Sequence, residues 1–482
     1  MFADRLSAKV SVSVVYVLAL FMTIMDTTIV NVALPSLGRD FGVQPAHVNT
    51  VVVGYLVSLA VFMPASAWLG DRIGTRRVFL AALVFFVGAS ALCGLAQSIG
   101  QLVVFRVIQG VGGGMLTPVG MAMLFRVFAP HERVRASRIL IVPTAFAPAL
   151  GPVLGGLLTT DLSWRWAFYI NVPIGLFGIA FGLLFVREQR GGNAGAFDVP
   201  GFILAGAGLG SLMFALSDGP ARGWTSPVID ACAAVGAALL VALVALELRR
   251  REPLLDLRVL SNRLFANTSA VVVTSTTAFL GSLFLVALFY QDGFGVSPLQ
   301  SGLSTFPEAI GVMAGAQSAS RLYPHIGPRR LMAAGLVGVM ATLIGIAQVP
   351  FSASFWVMRG LMFVIGFAMA HVFVPGQAAS FATISNTAMA PASTLFNAGR
   401  QLGGAVGVAI LSTVISGVGV VHAVGGHVRP NAAAYHDAFL TAAGIIALAL
   451  LMSVRISDTD AAPSMRRMPQ ESDTPPLTEA VA

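Results

Sequence analysis

Fourteen apolar segments follow one another along the chain, separated by short polar loops. Each has roughly the 20 apolar residues with which a helix crosses the hydrocarbon core of a bilayer. The pattern therefore predicts an all-α integral membrane protein with 14 transmembrane helices. The predicted spans are residues 12–33, 48–69, 78–96, 102–125, 139–158, 166–186, 199–216, 228–246, 267–290, 302–319, 331–349, 355–374, 393–417 and 438–454.

The composition agrees with this reading and excludes a soluble globular protein. Of the 482 residues, 56% are hydrophobic and 10% are charged, with a mean hydropathy of +0.83, whereas about 25% charged residues are usual in soluble domains. The net charge of +8 does not indicate nucleic-acid binding, because the basic residues are distributed over many loops instead of one face. Cys93 and Cys232 lie in apolar segments and predict neither a disulfide framework nor a metal site.

Loop charge predicts how the chain lies in the membrane. With the N-terminus on the cytoplasmic side, 22 of the 29 lysine and arginine residues fall on that side and four fall outside. Such an excess is typical of cytoplasmic loops. We therefore expect a multi-pass protein of the cell (cytoplasmic) membrane with both termini cytoplasmic.

The chain contains an internal repeat with an offset of 253 residues. Residues 73–77 read IGTRR and residues 326–330 read IGPRR, and Arg106 and Arg359 have the same spacing. Repeated halves with polar sites between them are a transporter architecture. The predicted domains are an N-terminal six-helix bundle (1–186), an inserted two-helix linker (187–266), a C-terminal six-helix bundle (267–454) and a disordered cytoplasmic tail (455–482).

Asp26 is an acidic residue inside the first predicted span. A charge at the middle of a membrane helix costs about 2.5–3.5 kcal/mol on insertion scales, and such residues usually face a partner charge or a water-filled interior. The helical rise of about 1.5 Å per residue places Arg106 of the fourth span at a similar depth. We therefore expect the two to interact, with Asp26 as the titratable member because arginine keeps its proton.

Two interpretations of this pair remain open. A nearby guanidinium favours a charged carboxylate and burial favours a neutral one, so opening the site to each side in turn could load and release a proton. Alternatively, the two residues form a fixed ion pair that orders the core. Glu308 of the tenth span could likewise bind a cationic substrate, carry a second proton or lie in a wet external vestibule.

Four short motifs carry a family resemblance. Residues 26–35 read DTTIVNVALP in the first span, and residues 71–77 read DRIGTRR in the loop after the second. Residues 151–156 read GPVLGG in the fifth span, and residues 400–404 read RQLGG in the thirteenth. In this order the motifs resemble the major facilitator superfamily, specifically its 14-helix drug:proton antiporter branch. The resemblance implies the major facilitator fold, with two six-helix bundles plus an inserted helix pair.

The resemblance gives two of these motifs a gating role. It implies a contact between the halves, and we expect Asp71 to approach the start of the thirteenth helix near residues 392–393, because a helix N-terminus attracts a carboxylate. A loop that only fixes orientation is the alternative. Pro324 and His325 replace Asp71 and Arg72 in the second half, so that loop is not expected to reproduce the first loop's charge pairing. The predicted gating residues are Asp71, Arg72, Gly74, Arg76, Arg77, Gly151, Pro152, Gly155 and Gly156.

Other polar residues within the spans predict what lines the interior. Arg359 and Arg400 are cations without a sequence-adjacent acid, and both are expected to be structural more than substrate-contacting. We expect Arg359 to take the structural role of Arg106 in the second half, and Arg400 to hold the thirteenth helix against a neighbour. Asn397 is expected to line the cavity. The predicted proton-coupling residues are Asp26, Arg106 and Glu308, and the predicted substrate-cavity residues are Asp26, Glu308, Asn397 and Arg400.

These features predict a proton-coupled antiporter that exports amphipathic, cationic drugs or antibiotics by alternating access. The alternatives are a dedicated exporter of one native metabolite, siderophore or lipid, and a non-transporting membrane sensor on the same fold. An enzyme is not expected, because no nucleophile–base or metal constellation is present, and no phosphate-binding loop indicates ATP use. We expect no cofactor and no metal, with the proton gradient as the energy source. The expected partners are a small-molecule substrate, protons and the lipid bilayer, without nucleic acid, for a protein acting as a monomer.

Overall fold

The computed structural model describes residues 7–43, 48, 50–188, 196–250, 253–419, 421–424 and 427–465. Within these residues the structure is helical, apart from loops and one antiparallel hairpin between Val421–Val424 and His427–Pro430. The predicted all-α class is therefore confirmed. The hairpin lies in the loop before the last long helix.

The first half of the bundle is formed by α1 (Ala8–Phe41), α2 (Thr50–Phe62), α3 (Ala65–Ile73), α4 (Thr75–Leu95), α5 (Ile99–Val127), α6 (Arg133–Leu157) and α7 (Asn171–Phe185). Ser7 and Ser98 begin α1 and α5, and their side chains accept hydrogen bonds from backbone amides of the first turn, which the helix itself leaves unpaired. α2 and α3 form one predicted span with a bend of 53°. Pro64 lies at the bend, where proline lacks the amide hydrogen that a continuous helix needs.

The inserted pair consists of α8 (Val199–Arg222) and α9 (Pro227–Arg249). The second half is formed by α10 (Arg263–Leu288), α11 (Pro298–Ile326), α12 (Pro328–Ala347), α13 (Phe355–Ser380), α14 (Met389–Val418) and α15 (Ala432–Ser453). α8 packs on α2 and on α14, and α9 packs on α8. The inserted pair therefore lies on the outside of the bundle, beside one seam between the halves.

The hydrophobic pattern predicts 14 membrane spans. Fewer helices of the described structure are long and apolar enough to cross a membrane. Among the described residues, 11 helices meet both conditions, or 12 when α2 and α3 count as one span. The other two predicted spans are α6 and α11, which have 25 and 29 residues but fall outside this set. α11 carries Glu308, Gln317 and Arg321, which lower its apolarity. The count of 14 therefore stays a prediction.

The two halves meet where α6 packs on α11 and α13, and where α5 and α3 pack on α14. We call the end of the bundle that holds the α3–α4 connection the predicted cytoplasmic end. Near that end, the rings of Phe125 and Phe381 stack with centroids 4.7 Å apart. The Ser66 and Thr394 hydroxyl oxygens are 3.3 Å apart and both are buried. These contacts close this end of the bundle.

Part of the tail predicted to be disordered is folded. Residues 466–482 lie outside the described residues, but residues 455–465 end in a helical turn, Ala462–Met465, that packs against Pro130–Glu132. The Ser464 hydroxyl lies 2.7 Å from that of Tyr323, and both side chains are buried. The prediction was wrong for this stretch, because its few apolar residues, such as Ile456, find a pocket against the helices.

Candidate functional site

Asp26 of α1 and Arg106 of α5 form a salt bridge inside the first half. The Asp26 Oδ2 and Arg106 Nη1 atoms are 2.5 Å apart, and both side chains are 0% exposed. An ion pair removed from water this completely is stable only when its remaining hydrogen-bonding atoms also find partners. The structure thus brings together the two residues that the sequence placed at similar depth.

Two amides complete the surroundings of the Asp26 carboxylate. Asp26 Oδ1 accepts hydrogen bonds from Gln109 Nε2 and from Asn171 Nδ2, each at 3.0 Å. The Asn171 amide also donates to Ser90 Oγ at 3.2 Å, and Ser90 in turn donates to the backbone. α1, α4, α5 and α7 therefore all contribute to one buried polar network around this carboxylate.

The guanidinium of Arg106 is less completely paired. It donates to Gln109 Oε1 at 2.7 Å and to the carbonyl oxygen of Val51 at 3.4 Å, and it lies 4.2 Å from the ring centre of Tyr55. Its Nη2 atom, the Tyr55 hydroxyl and Asn171 Oδ1 are buried without a hydrogen-bond partner in the described structure. Unpaired buried polar atoms are uncommon and costly, so this network has the capacity for a second hydrogen-bonding arrangement.

The sequence did not assign roles to Gln109, Asn171 and Ser90. Gln109 could have been found, because it lies three residues after Arg106 and therefore on the same face of the helix. Asn171 and Ser90 lie on α7 and α4, far from Asp26 in sequence. Only the packing of those helices brings them to the carboxylate.

α1 and α6 approach closely at the predicted glycine motif. A methyl group on Gly151 would lie 1.9 Å from Thr28 Oγ1, and one on Gly155 would lie 3.1 Å from a Val32 side-chain atom. Glycine therefore permits this contact between helices. Pro152 and Gly156 belong to the same helix, and the Gly156 carbonyl accepts a 3.3 Å hydrogen bond from Thr159.

A narrow cavity with a free volume of about 30 Å³ lies between the two halves, bordered by α1, α5 and α6 on one side and by α10, α13 and α14 on the other. Its polar lining comes from Tyr16, Thr117, Gln377, Asn397 and Arg400. The Tyr16 hydroxyl donates to the Thr117 carbonyl oxygen at 3.0 Å. The Asn397 amide donates to the Ser393 carbonyl oxygen at 2.8 Å. The structure thus places Asn397 and Arg400 at the cavity where the sequence predicted them.

Arg400 lies between aromatic rings in this cavity. Its guanidinium carbon is 5.4 Å from the ring centre of Phe373 and 6.0 Å from that of Phe396. Its Nε atom is buried without a hydrogen-bond partner in the described part of the chain. Cation–π contacts of this kind stabilise a guanidinium that lacks a counter-charge.

The structure does not place Asp26 or Glu308 at this cavity. Asp26 lies ten residues after Tyr16 on α1, and its face of the helix is turned into the first half, whereas the Tyr16 and Leu20 side chains border the cavity. The prediction that Asp26 lines the substrate cavity is therefore not supported. The reason is that depth along a helix is readable from sequence, whereas its rotation depends on its neighbours.

Glu308 is a buried carboxylate near the contact of α11 with α13. It is 5% exposed, and no hydrogen-bond or ion-pair partner is present for it among the described residues. A methyl group on Gly366 would lie 2.1 Å from the Glu308 carbonyl oxygen. Two residues earlier, Phe306 touches Phe146 of α6 with ring centres 5.9 Å apart. An unpaired buried carboxylate is costly, and the binding of a proton or a cation by Glu308 stays a prediction.

Asp71 has a different partner from the one expected. Its carboxylate accepts a 2.9 Å hydrogen bond from Arg126 at the end of α5, within the same half. Between α3 and α14, the hydrogen bond in the described structure joins Ser66 and Thr394, and the Asp71 side chain makes none to the start of α14 there. Arg126 outcompetes the helix N-terminus because a full cation at this distance attracts a carboxylate more strongly than a helix dipole. Arg72 is exposed.

The rest of this loop is held by Glu188, which follows the last helix of the first half. The Arg76 backbone N–H donates to Glu188 Oε1 at 2.9 Å, and Arg77 Nε lies 3.8 Å from Glu188 Oε2. Gly74 has φ +107°, and a methyl group there would lie 2.4 Å from the carboxylate. The Arg76 side chain donates to the Leu183 carbonyl oxygen at 2.6 Å.

The second half has the same arrangement with a different acid. We call it the loop clamp: a carboxylate after the last helix of each half accepts a hydrogen bond from a backbone N–H next to a loop glycine. Gly327 has φ +83°, and the Arg329 backbone N–H donates to Asp458 Oδ1 at 2.9 Å. Asp458 follows the last long helix of its half, as Glu188 does in the first. This contact uses backbone N–H groups, which Pro324 and His325 do not affect, so the expected absence of the first loop's charge pairing stays a prediction.

Within the described residues, no group of three or more histidine, cysteine, aspartate or glutamate side chains has the arrangement of a metal site.

Comparison with a family profile matches residues 16–408 to the Major Facilitator Superfamily. The Multidrug resistance protein B homolog of Mycobacterium tuberculosis is 33% identical over 409 residues, which cover 83% of this chain and 75% of the relative. The Putative multidrug resistance protein MdtD of Klebsiella pneumoniae is 31% identical over 445 residues, covering 91% of this chain and 93% of the relative.

Two solved structures have the same fold. The human organic anion transporter MFSD10 (TETRAN) superimposes with a TM-score of 0.65 at 18% identity, covering 93% of this chain and 100% of that one. The proton:xylose symporter XylE superimposes with a TM-score of 0.64 at 14% identity, covering 95% and 98% of the two chains. At these identities the likeness concerns the fold alone.

Proposed function

Because the chain belongs to the major facilitator superfamily, we propose that this membrane transporter is a proton-coupled antiporter that exports amphipathic drugs or antibiotics by alternating access. The observation that carries the proposal is the buried Asp26–Arg106 network. Intramembrane ionisable residues are costly and mark proton or substrate pathways more often than structure alone. Relatives named for multidrug resistance support drugs as the substrates.

The network offers one site for a proton. Protonation of Asp26 would remove the charge that holds Arg106 Nη1 and would leave the guanidinium to seek other acceptors. The unpaired atoms on Tyr55 and Asn171 are polar groups within the same network that a rearrangement would use. Because four helices meet there, the change would alter the packing of α1 against α5 and α7.

The contacts at the predicted cytoplasmic end are the parts that must separate in an inward-open state. Phe125 with Phe381 and Ser66 with Thr394 join the halves by a ring stack and one hydroxyl contact. Such contacts are individually weak enough to break and re-form. The proposed cycle takes up protons from outside, binds substrate from the cytoplasm or inner leaflet, and uses no cofactor beyond the proton gradient.

Following the loop charges, we place the transporter in the cytoplasmic membrane with both termini inside. We also propose that it acts as a monomer. The expectation of cationic substrates rested on Asp26 and Glu308 as cavity residues. Neither borders the cavity between the halves, whereas Arg400 does. The charge of the substrate therefore depends on Arg400.

The proposal is tested in proteoliposomes that contain a pH-sensitive dye. Gradients of ethidium, norfloxacin and pyrenebutyrate are applied in turn, and substrate-driven proton movement is recorded for the wild type, Asp26→Asn and Asp26→Glu. We expect coupling in the wild type, its loss in Asp26→Asn and its retention in Asp26→Glu, which keeps the acid.

Asp40→Asn is the matched control, because Asp40 lies on the same helix but pairs with Trp164 and Arg165 near its end. Normal coupled transport by Asp26→Asn would refute the proton-carrier role. Absence of transport for every compound in the wild type would refute export itself.

A further inference from the structure

Arg400 is the charged residue that borders the cavity between the halves in the described structure. Its side chain lies among Phe373, Phe396 and Asn397, in a space otherwise lined by apolar groups and uncharged polar groups. A guanidinium in such a place costs free energy unless a partner compensates its charge. The structure therefore raises the question of which group fills that role.

No described acidic side chain pairs with Arg400. Within the span interiors of the described residues, the acids of the two halves are Asp26, which is occupied by Arg106, and Glu308, which does not border the cavity. The Arg400 Nε atom remains buried without an acceptor. Tyr16 and Thr117 also border the cavity, but their hydroxyls are uncharged, and the Tyr16 hydrogen is used by the Thr117 carbonyl.

The other intramembrane arginine of the second half is in a different situation. Arg359 lies one turn after the start of α13, and its guanidinium carbon is 4.9 Å from the ring centre of Trp356, which is 75% exposed. That arginine can reach the aqueous boundary along the helix end. Arg400 borders the cavity between the two halves, so a molecule inside that cavity can neutralise it.

We infer that Arg400 binds an acidic group of the transported molecule, so that the preferred substrates are amphipathic compounds carrying a carboxylate or another anionic oxygen acid. The guanidinium presents planar donors that match carboxylate geometry. The rings of Phe373 and Phe396 contact the apolar part, and the amides of Asn397 and Gln377 supply further polar contacts at the cavity wall. This inference rests on the proposed export function and specifies its substrate class.

The test uses three probes with one pyrene body and different head groups: pyrenebutyrate, pyrenebutanol and pyrenebutyltrimethylammonium. Binding to the purified full-length protein in nanodiscs is measured by fluorescence, with empty nanodiscs subtracted. The wild type should bind the butyrate most tightly and the ammonium least.

Arg400→Gln should weaken binding of the butyrate by about tenfold or more, as expected for loss of a charged hydrogen bond, with little effect on the butanol. Arg400→Lys keeps the charge and should retain most of the preference for the butyrate. Arg359→Gln, the same change outside the cavity, should leave all three affinities unaltered.

Two results would overturn the inference: a wild type that prefers the ammonium probe, or butyrate binding that Arg400→Gln does not weaken. If Arg400→Gln does not fold, the order of the three probe affinities for the wild type and for Arg400→Lys is enough to decide whether the inference holds. Failure of the export proposal is recognised separately. In that case the butyrate binds through Arg400, but no compound drives proton movement in the proteoliposomes.

Discussion

Asp26 and Arg106 are 80 residues apart in the chain, yet their side chains meet at 2.5 Å with no exposure to solvent. They join α1 to α5 in the interior of the first half, away from the cavity between the halves. In the proposed cycle, the proton and the substrate therefore bind at different places. Coupling between them would then travel through helix packing and not through competition for one carboxylate.

The stability of the Asp26–Arg106 pair gives the first prediction. Arg106→Gln should destabilise the folded protein by about 3–5 kcal/mol, because it leaves a buried carboxylate without its cation. Asp26→Asn should have an effect of similar size, because it leaves the guanidinium unpaired. The double variant should be less destabilised than the sum of the two. Thermal unfolding in detergent measures all three, and strictly additive effects would show that the two side chains are not coupled.

Close contact between α1 and α6 gives the second prediction. Gly151→Ala places a methyl group 1.9 Å from Thr28 Oγ1, so the helices must separate and both stability and transport should fall. Gly88→Ala is the control, because nothing lies within 4 Å of a methyl group there. That change should stabilise helix α4 by up to about 1 kcal/mol. Equal behaviour of the two variants in thermal unfolding would argue against a tight interface.

The fold was predictable from sequence where it depended on one-dimensional patterns. Apolar length predicted the helical class, and the 253-residue offset predicted the repeated loop glycines, which have φ values of +107° at Gly74 and +83° at Gly327. The Asp26–Arg106 contact followed from depth, which the helical rise fixes.

The sequence did not predict how each helix is rotated about its axis, nor which residues far apart in the chain contact each other. Asp26 was expected at the cavity because its depth was right, but the face of α1 that carries it turns towards α5 and α7. Glu188 and Asp458 were missed because they lie outside every motif and reach the loop glycines only after the last helix of each half has packed. No local signal marks such residues.

Closure of the predicted cytoplasmic end gives the third prediction. Ser66→Cys combined with Thr394→Cys, with Cys93 and Cys232 replaced by serine, puts two thiols where hydroxyl oxygens are now 3.3 Å apart. Oxidation should form a disulfide that locks this end and abolishes export, and reduction should restore it. Each single cysteine variant serves as the control. Undiminished export by the fully cross-linked protein would show that this end does not need to open.

The loop clamp in each half gives the fourth prediction. Asp458→Asn and Glu188→Gln each replace the carboxylate that accepts a hydrogen bond from a backbone N–H next to a loop glycine with a neutral amide, which is a weaker acceptor. Hydrogen exchange should therefore rise at residues 327–331 in the first variant and at residues 74–78 in the second, each without effect on the other loop. A loop that keeps its protection after loss of its acid would contradict the clamp.

Glu132 gives a pH-dependent prediction outside the spans. Burial raises the pKa of this carboxyl, but hydrogen bonds from Lys9 at 2.6 Å and from the Ala129 backbone N–H outweigh it and hold the pKa below its usual value. A carboxyl whose pKa is lower in the folded state stabilises that state at pH values above its unfolded pKa of about 4.3, and this contribution is lost as the pH falls through the folded pKa. Wild type should therefore exceed Glu132→Gln in thermal stability at pH 7, and the difference should shrink below about pH 4. A difference that is constant from pH 7 to pH 3 would show that the charge on Glu132 does not tie the start of α1 to the loop before α6.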